Sequence, residues 1–364
     1  MYHKRASEKI RIVIVGGGFG GLSVLNGLSN TIDPRKHEVI LIDARPEFIH
    51  LPATLRLTVS DADDLITHAM HPYGEHTFRN KLAGNAKYIH GSITDIKFGE
   101  KEDRGVVVLD SGEDVHYDIL VLATGSIWPR SIYLPTESRK TIEEFIKTRR
   151  EEYAKASDIL LVGGGAVGIE LAGELRDLSL SKNITILHRG KQLLNSTYSE
   201  RYRIGHQQQL ESRNITVITG DSLTKSDASK IFEDHFTETE LVTEKGRKLK
   251  VDLVIPTWGA RPNTSYLPPN LLSSTGYVQV LPTLQLPGHP NIFALGDIID
   301  WDEQKSARKA ANVQAPKVQA NIIEYLQLAE AAGESSGVVD LAASRKSAKY
   351  AGGTEMSIIT NGKV

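Results

Sequence analysis

Two runs of branched apolar residues near the start of the chain have the pattern of buried strands. Ile10–Val15 is almost continuously apolar, which is typical of a parallel strand covered on both faces. Glu38–Asp43 is a similar run that ends in an acid. Between them, leucines recur at helical spacing, so we predict a helix over Gly20–Asn30. The chain therefore opens with a strand, a helix and a second strand.

The same order of elements returns in the middle of the chain. Ser157–Gly168 is again a strand that runs into glycines, and Thr185–His188 is the matching second strand. Each half then continues with a hairpin signal and a strand that ends near a glycine. In each half an aspartate, Asp118 or Asp252, stands seven positions before that glycine. We infer an internal repeat of two α/β units, each with a parallel, doubly wound sheet.

Shorter patterns predict the remaining elements. Pro316 lies inside the last predicted helix, and we expect a kink there because proline lacks the N–H of a helical hydrogen bond. The stretch GESSG that follows is rich in glycine and serine. The predicted elements are strands at Tyr88–Ile96, Val106–Leu109, Val115–Tyr117, Val251–Gly259 and Ile292–Leu295, hairpin turns at 110–113 and 244–247, a helix over Ser306–Leu328 and a strand in EMSIIT at 355–360.

Composition narrows the class of protein. The 364 residues carry 43 lysines and arginines against 45 aspartates and glutamates, so nothing marks a nucleic-acid surface. The chain has no cysteine, which excludes disulfides, thiolate metal sites and iron–sulfur clusters. It also lacks a run of about 18 apolar residues, the length that a membrane span requires. Tyr2 stands where N-myristoylation requires glycine.

Three histidines, His68, His71 and His76, cluster in the stretch THAMHPYGEH. Pro72 and Gly74 predict a loop in this stretch. Because metal ligands need rigid spacing, we predict no metal site here.

The first glycine-rich turn has the spacing of a dinucleotide-binding motif. Gly16, Gly18 and Gly21 fit G-x-G-x-x-G directly after a strand, where the first glycine permits a tight turn and the second lets a pyrophosphate approach the backbone. Asp43 ends the next strand, at the position from which a carboxylate accepts a hydrogen bond from ribose. The following segment, Ala44–Ser60, is predicted as an irregular connection over the carboxyl edge of the sheet. Further contacts in this half are expected at Phe19, Gly20, Ala44, Arg45, Pro52 and Arg56, although a solvated helix position stays open for Arg56.

Other strand ends in the same half are expected to meet this ligand. Ala123–Gly125 follows a buried strand, and its small residues suit a backbone that crosses close to a cofactor. Gly296 and Asp297 end another strand, where an acid can accept hydrogen bonds from a ribityl chain and the next helix can face an isoalloxazine edge. The strand backbone around Ile93 is expected near adenine.

The second half repeats the motif with one informative change. Its second strand ends in His188 and Arg189 instead of an acid, which leaves NAD and NADP both open. A basic surface turn is the alternative for this pair. Glu170, just inside the predicted helix, either interacts with the helix dipole or contacts the nicotinamide amide. The residues expected at this second dinucleotide are Gly163, Gly165, Ala166, Val167, Gly168, Glu170, His188, Arg189 and Gly259.

Together these motifs resemble the two-dinucleotide-binding-domain flavoproteins of the pyridine nucleotide-disulfide oxidoreductase superfamily, which includes glutathione reductase-type enzymes and type II NADH dehydrogenases. The resemblance rests on GGGFGG with Asp43, LATGS at 122–126, VGGGAVGIELAGEL at 162–175 and FALGD at 293–297. FIHLPATLRLTVS at 48–60 is similar to the apoptosis-inducing-factor-like and ferroptosis suppressor protein group, including its fungal relatives.

The resemblance implies FAD and either NADH or NADPH as cofactors. FAD would lie on the first motif, Asp43, Ala123–Gly125 and Asp297, and the nicotinamide cofactor on the second motif with Glu170 and His188. The implied domains are residues 8–130 and 261–330 for FAD and residues 131–260 for NAD(P), with a short C-terminal region at 331–364. No catalytic side chain beyond the flavin is implied.

The implied activity is hydride transfer from nicotinamide to flavin and onward transfer of electrons to a quinone. Two alternatives stay open: a signalling flavoprotein with slow turnover, and an oxidase that uses oxygen or a small carrier. Pro52, Trp258 and Ser306–Gln314 are assigned to the acceptor pocket by position alone.

Two features depart from the family pattern. Without cysteine the chain falls outside the disulfide-reductase branch. The family's C-terminal segment, associated with quinone access and membrane contact, usually continues past the counterpart of ITNGKV, whereas this chain stops at Val364, so we expect a trimmed chain or altered membrane behaviour. We expect a cytoplasmic monomer or homodimer without a nucleic-acid partner, and leave open peripheral contact with mitochondrial or lipid-droplet membranes.

Overall fold

The computed structural model describes residues 8–99, 104–129, 132–231, 239–332, 341, 343–356 and 358–362. The chain forms two compact units. Unit 1 comprises Met1–Phe48, Pro72–Ser126 and Arg261–Thr354, and unit 2 comprises Ile49–His71, Ile127–Ala260 and Glu355–Val364. Each unit contains helices and a sheet whose strands are parallel apart from one edge strand in unit 1, so the predicted fold class is confirmed.

The bounds of the described elements are as follows. The helices are α1 (Phe19–Thr31), α2 (Thr54–Leu57), α3 (Leu65–Ala69), α4 (Arg139–Lys155), α5 (Ala166–Leu178), α6 (Glu200–Ser212), α7 (Lys225–Lys230), α8 (Ala307–Lys309) and α9 (Ala315–Ala332). The strands are β1 (Ile10–Val15), β2 (His37–Asp43), β3 (Glu47–Ile49), β4 (Met70–Pro72), β5 (Ala86–His90), β6 (Ile93–Lys97), β7 (Gly105–Leu109), β8 (Asp114–Tyr117), β9 (Ile119–Leu122), β10 (Ser126–Ile127), β11 (Asp158–Val162), β12 (Asn183–His188), β13 (Ile215–Thr219), β14 (Thr239–Val242), β15 (Lys248–Val251), β16 (Leu253–Pro256), β17 (Arg261–Pro262), β18 (Gln285–Leu286) and β19 (His289–Ala294).

Unit 1 is built on a six-stranded sheet with the order β18-β19-β9-β1-β2-β5. The central strand β1 pairs in parallel with β2 and with β9, so that Ile12 lies beside Val39 and beside Ile119. These apolar residues are fully buried because helices cover a parallel sheet on both faces. The sheet brings the carboxyl ends of β1, β2, β9 and β19 to one edge, where ligands bind in folds of this type.

Unit 2 is built on a four-stranded parallel sheet with the order β13-β12-β11-β16. The hairpin of β14 and β15 surrounds the turn that the sequence predicts at 244–247. Leu160, Leu161 and Ile186 are fully buried at the centre of this sheet. The carboxyl ends of β11, β12 and β16 therefore share one edge, as the matching strands do in unit 1.

The internal repeat extends to individual hydrogen bonds. In unit 1 the Asp118 carboxylate accepts from the Arg11 N–H at 2.6 Å, and the Asp118 N–H donates to the Arg11 carbonyl at 2.9 Å. In unit 2 the Asp252 carboxylate accepts from the Asp158 N–H at 3.0 Å, and the Asp252 N–H donates to the Asp158 carbonyl at 2.8 Å. In both units this aspartate ties the strand that follows it to the first strand.

Several predicted elements require correction. Tyr88–Ile96 is two strands, because the chain turns at Gly91, whose N–H donates to the Asp43 carbonyl at 3.0 Å. The histidine segment is not a loop throughout, since His68 lies in α3 and His71 in β4. Ala44–Ser60 contains β3 and α2 and is therefore not irregular throughout.

The last predicted helix also differs from its prediction. A turn of π-helix at Ala310–Gln314 separates α8 from α9, and Pro316 is the second residue of α9. The irregularity therefore lies just before the proline, where the missing N–H of Pro316 leaves a carbonyl without its α-helical partner. The predicted strand in EMSIIT is wrong for its described residues, which are not in a strand; Thr360 at its end hydrogen-bonds to Glu170 of α5. The stretch GESSG lies outside the described residues.

The units differ from the predicted domain boundaries in four segments, the smallest of which is 127–129, predicted within the FAD domain but part of unit 2. Residues 49–71 were predicted within the FAD domain but belong to unit 2. Of the predicted C-terminal region, the part up to Thr354 belongs to unit 1 and the part from Glu355 belongs to unit 2. Within the described ranges, no helix combines the length and apolar character needed to cross a membrane, and no group of three or more histidine, aspartate or glutamate side chains is placed to hold a metal ion.

Candidate dinucleotide sites

Two glycines of the first turn, Gly16 and Gly21, are required by close contacts in unit 1, and the third is not. Gly16 has φ of +100°, and a Cβ there would overlap the carbonyl oxygen of Ala123. A Cβ on Gly21 would overlap the carbonyl oxygen of Gly16, so α1 packs closely against the end of β1. Gly18 differs from both because no heavy atom lies within 4 Å of the position of its Cβ. The turn thus leaves open space beside Gly18 at the N-terminus of α1, where a pyrophosphate fits.

Asp43 at the end of β2 holds the turn in place. Its carboxylate accepts from the Gly17 N–H at 2.5 Å and from the Arg45 N–H at 2.7 Å. Burial raises the pKa of Asp43, and these two hydrogen bonds act in the opposite direction. Because each carboxylate oxygen has more than one acceptor position, Asp43 can still accept from a ribose hydroxyl.

Two tyrosines that the sequence analysis did not select support the same turn. The Tyr73 hydroxyl donates to the Gly17 carbonyl at 2.6 Å, and the Tyr88 hydroxyl donates to the Arg45 carbonyl at 2.8 Å. Their rings lie against each other, with centroids 4.9 Å apart. Tyr73 belongs to the histidine-rich segment, and nothing in the local sequence indicates its contact with a glycine 56 residues away.

The other predicted residues of this half have defined positions. Phe19 begins α1 and packs edge-on against Phe48, with 5.4 Å between ring centroids. A Cβ on Gly20 would touch Leu295, and the Ala44 carbonyl lies 3.0 Å from the His90 Nε2. Ile93 begins β6 and packs against the core of unit 1.

Ala123–Gly125 is held by hydrogen bonds at both ends. The Ala123 N–H donates to the Val15 carbonyl at 2.8 Å, which places this backbone beside Gly16. The Thr124 hydroxyl lies 2.7 Å from both the Asn263 carbonyl and the Tyr266 hydroxyl, so it donates to the former and accepts from the latter. Gly125 has φ of +69°, a conformation that favours glycine.

Gly296 and Asp297 follow β19 at the same edge of the sheet. Gly296 has φ of +82°, and its N–H donates to the side-chain oxygen of Gln314 at 2.6 Å. The Asp297 carboxylate accepts from the Ser126 hydroxyl at 2.9 Å. Burial raises the pKa of Asp297, while the Ser126 hydrogen bond and the charge of Lys305 lower it. The second carboxylate oxygen leaves an acceptor for a ribityl hydroxyl.

The second glycine turn repeats the geometry of the first in unit 2. Gly163 has φ of +128°, and a Cβ there would lie 2.9 Å from the backbone nitrogen of Trp258. A Cβ on Gly168 would overlap the Gly163 carbonyl oxygen, whereas the Cβ position of Gly165 has no heavy atom within 4 Å. The open space is therefore again at the middle glycine of the motif. Ala166 and Val167 are the first two residues of α5, and Gly259 follows β16 with φ of +23°.

His188 replaces the acid but keeps its role toward the turn. Its Nδ1 accepts from the Gly164 N–H at 3.1 Å, the counterpart of the bond from Gly17 to Asp43. Burial lowers the pKa of His188, and the charges of Arg189 and Arg203 add to the effect. Hydrogen bonds between the ring and the backbone of Gln192 and Leu194 act on this pKa in the opposite direction. Because Nδ1 accepts from Gly164, the neutral tautomer carries its proton on Nε2. Arg189 is exposed beside it.

Glu170 lies in the second turn of α5, half-buried. Its Oε1 accepts from the N–H of Thr360 at 3.1 Å and lies 3.4 Å from the Thr360 hydroxyl. Burial raises the pKa of Glu170, and the hydrogen bonds from Thr360 act against this.

Pro52 and Arg56 belong to unit 2, whereas the other residues predicted for the first dinucleotide belong to unit 1. Pro52 lies exposed in a short 3-10 turn at Leu51–Ala53. The Arg56 guanidinium pairs with the buried carboxylate of Glu174 through contacts of 2.9 to 3.1 Å. Its charge is thus already matched within the protein, and phosphate contact by Arg56 stays a prediction.

The residues present fit the two cofactors that the sequence implies. Each unit has a glycine turn with open space at its middle glycine, a helix N-terminus behind that turn and a hydrogen-bonding side chain at the end of the second strand. These are the features that bind a pyrophosphate and an adenosine ribose. The two sites are built in the same way, since the Gly17 N–H donates to Asp43 and the Gly164 N–H donates to His188.

Comparison with known proteins agrees with this construction. Residues 10–333 match the family model for pyridine nucleotide-disulphide oxidoreductases. An FAD-dependent oxidoreductase of Flammulina velutipes is 34% identical over 312 residues, covering 84% of this chain and 87% of the relative. Apoptosis-inducing factor homolog B of Dictyostelium discoideum is 31% identical, covering 84% of this chain and 78% of the relative.

Ferroptosis suppressor protein 1 of Taeniopygia guttata is 30% identical over 327 residues, covering 87% of this chain and 81% of the relative. Among solved structures, putidaredoxin reductase in its covalent complex with putidaredoxin has a TM-score of 0.66 at 21% identity, covering 86% of this chain and 75% of that chain. The predicted fold and the predicted cofactors, FAD with NADH or NADPH, are those of this family. The chain therefore belongs to the pyridine nucleotide-disulphide oxidoreductase family and is an FAD-dependent oxidoreductase of pyridine nucleotides.

Proposed function

We propose that this protein is an NAD(P)H:quinone oxidoreductase. The observation that carries the proposal is the pair of glycine turns, one in each unit, in a chain that has no cysteine. The chemistry that FAD would supply here is acceptance of a hydride from the nicotinamide and transfer of electrons to a second substrate. Because no thiol pair exists to relay them, the acceptor takes electrons from the flavin directly.

The contribution of the chain itself is binding and orientation. In unit 1, the open turn at Gly18 would receive the pyrophosphate of FAD, and Asp43 and Asp297 would accept hydrogen bonds from its ribose and ribityl hydroxyls. In unit 2, the open turn at Gly165 would receive the pyrophosphate of the nicotinamide cofactor, and His188 would donate to its adenosine ribose or 2′-phosphate. Holding two reactants in fixed orientation supplies much of the rate in reactions of this kind.

A quinone is favoured as acceptor by the segment at 48–60, which resembles the ferroptosis suppressor protein group. Relatives named for that group and for apoptosis-inducing factor match more than four fifths of this chain. The location of the acceptor pocket, including the predicted contributions of Trp258 and Ser306–Gln314, belongs to the proposal. Peripheral membrane contact belongs to it as well.

The test is an anaerobic reduction of the purified yellow protein by NADH and, separately, by NADPH, followed by a short-chain soluble quinone in the same cuvette. We expect rapid bleaching of the flavin band by a nicotinamide cofactor and rapid recovery on addition of quinone. The ratio of the two bleaching rates measures the preference that His188 allows. The variant His188→Glu is expected to raise the KM for NADPH, relative to the KM for NADH, at least about tenfold. The reason is that a carboxylate repels the 2′-phosphate.

Other results would contradict the proposal in distinct ways. Bleaching without recovery on quinone would contradict quinone reduction and favour a redox switch with slow turnover. Recovery that requires air would instead identify an oxidase. A protein without flavin that cannot be reconstituted with FAD would contradict the first dinucleotide site.

A further inference from the structure

The C-terminal segment 358–362 lies along one face of α5 in unit 2; we call it the strap. Glu170, Gly173 and Asp177 are spaced at i, i+3 and i+7, so they share a face of the helix. Thr360 bonds to Glu170 at one end of this face, and Gly362 lies against Asp177 at the other. The strap therefore runs over about two turns of the helix that follows the second glycine turn.

Gly173 lets the strap reach the helix backbone. A Cβ at this position would overlap the nitrogen of Gly362 and the carbonyl carbon of Asn361. Glycine in a helix interior is normally destabilising relative to alanine, so its presence here has a steric reason. Gly205 in α6 has no heavy atom within 4 Å of its Cβ position and so provides a matched comparison.

The strap is anchored by Arg213, next to the C-terminus of α6. Its guanidinium donates to the Asn361 carbonyl and to the Asn361 side-chain oxygen, and it also pairs with Asp177. Asn361 is only 7% exposed, and Ile359 packs against the apolar core of this unit. Backbone and side-chain contacts thus fix the segment next to Glu170.

The contact with Glu170 uses only one of its two carboxylate oxygens. Oε1 accepts from the Thr360 N–H, whereas Oε2 has no hydrogen-bond partner among the residues that the structure describes. A carboxylate held in this way keeps its side-chain rotamer and presents one fixed, unused acceptor. An acceptor of that kind suits the NH₂ group of a carboxamide.

We propose that the strap is a positioning element for nicotinamide: Thr360 holds Glu170 so that its free oxygen accepts from the nicotinamide carboxamide. This inference rests on the proposed function, since it needs NAD(P)H to occupy the second turn. Glu170 is the residue that touches the cofactor, and Thr360 and Gly173 act through it. Displacing the strap should therefore weaken recognition of the nicotinamide half while leaving the adenosine half unaffected.

The experiment compares two ligands on the flavin-loaded protein by calorimetry: NAD⁺ and ADP-ribose, which lacks the nicotinamide. If the wild type prefers NADP⁺, the two ligands compared are NADP⁺ and 2′-phospho-ADP-ribose. Gly173→Ala displaces the strap, and Thr360→Pro removes the N–H donor. Thr360→Ala removes only the longer hydroxyl contact, and Gly205→Ala is the helix-glycine control.

We expect Gly173→Ala and Thr360→Pro to weaken NAD⁺ binding roughly fivefold, the size of one hydrogen bond, with ADP-ribose binding unchanged. Thr360→Ala should weaken NAD⁺ binding less, and Gly205→Ala should bind both ligands as the wild type does. In a Glu170→Ala background, Gly173→Ala should have no further effect on NAD⁺, because the two changes remove one interaction.

An equal loss of both ligands would overturn the inference, because it would show a purely structural role for the strap. Unchanged NAD⁺ binding in both strap variants would also overturn it, as would tighter binding, which would mean that the strap obstructs the cofactor. A wild type that binds neither ligand would contradict the proposed function as well. Normal binding that depends on Glu170 but not on the strap would leave the proposed function standing and reject the inference alone.

Discussion

At the scale of residues, the positions of the first motif require glycine for different physical reasons, and alanine substitutions can distinguish these reasons. Gly18 has φ of −71° and ψ of −166°, which alanine adopts without strain, and its Cβ would enter open space. Gly18→Ala is therefore expected to keep the free energy of unfolding of the flavin-free protein within about 0.5 kcal/mol. FAD affinity should fall at least about tenfold, because the methyl group occupies the pyrophosphate position.

The matched variant is Gly21→Ala, whose Cβ would overlap the Gly16 carbonyl. It should lower the free energy of unfolding by about 1–3 kcal/mol through overpacking, with or without FAD. Thermal denaturation of the flavin-free proteins and titration with FAD separate the two effects. Equal stability losses in both variants would show that Gly18 is structural after all.

A second prediction at this scale concerns the pH dependence of His188. Burial lowers its pKa in the folded protein, so below the usual histidine pKa of 6.5 the unfolded chain binds the proton more readily. The contribution of His188 to the free energy of unfolding is therefore complete above pH 6.5 and is lost as the pH falls toward the pKa of the folded state. His188→Asn keeps an acceptor for the Gly164 N–H but does not titrate. We expect the wild type to lose more thermal stability than this variant between roughly pH 7.5 and 5.5.

At the scale of elements, the π-helical turn between α8 and α9 places a side chain that a regular helix would direct elsewhere. Gln314 closes this turn, is 2% exposed, accepts from the Gly296 N–H at 2.6 Å and donates to Glu303 at 3.0 Å. Gln314→Leu removes the acceptor of the Gly296 N–H, whereas Glu303 keeps Tyr350, Gly353 and Lys309 as partners. It should lower the free energy of unfolding by about 2 kcal/mol and also weaken FAD binding.

Gln319 in α9 offers the control for this prediction. The Gln319 side chain bonds to backbone as well, but it donates to the Gly27 carbonyl, at 2.9 Å, and it is only half-buried. Water can replace the lost partner there, so Gln319→Leu should cost only about 0.5 kcal/mol. Urea denaturation of both variants gives the comparison. Similar losses of unfolding free energy would mean that the contact between Gln314 and Gly296 contributes no more to stability than the contact of Gln319.

At the scale of the whole molecule, the chain consists of two units that use one construction twice. Each unit has its own parallel sheet, glycine turn and core. We therefore expect flavin-free Gly18→Ala protein to bind NAD⁺ with the affinity of flavin-free wild type. Gly165→Ala should show the reverse pattern, with normal FAD content and weak NAD⁺ binding. Loss of both cofactors in either variant would show that the two sites do not form independently.

The sequence by itself determined the strands that lead into the two glycine turns, the turns themselves, the repeat and the family. It did so because these features depend on local requirements: apolar runs for buried strands, and glycine where backbone from a neighbouring segment or a phosphate comes close. The two spacings of seven from Asp118 and Asp252 predicted equivalent strands, and the hydrogen bonds of both aspartates follow that equivalence. Predictions were less accurate where a proline or a glycine redirects the chain, as at Pro316 and Gly91.

Only the tertiary structure decided how the turns are held and what lies beside them. Tyr73 reaches Gly17, Gln314 reaches Gly296, and Thr360 reaches Glu170 across 190 residues, pairs that no local pattern connects. The strand predicted in EMSIIT failed for the same reason, since Ile359 packs against the core of unit 2 and the Thr360 N–H donates to Glu170, far away in the sequence, while Met356 and Ile358 are exposed. A local pattern fixes which backbone conformations are accessible, but the partner of a hydrogen bond or an apolar side chain is set by how distant segments pack together.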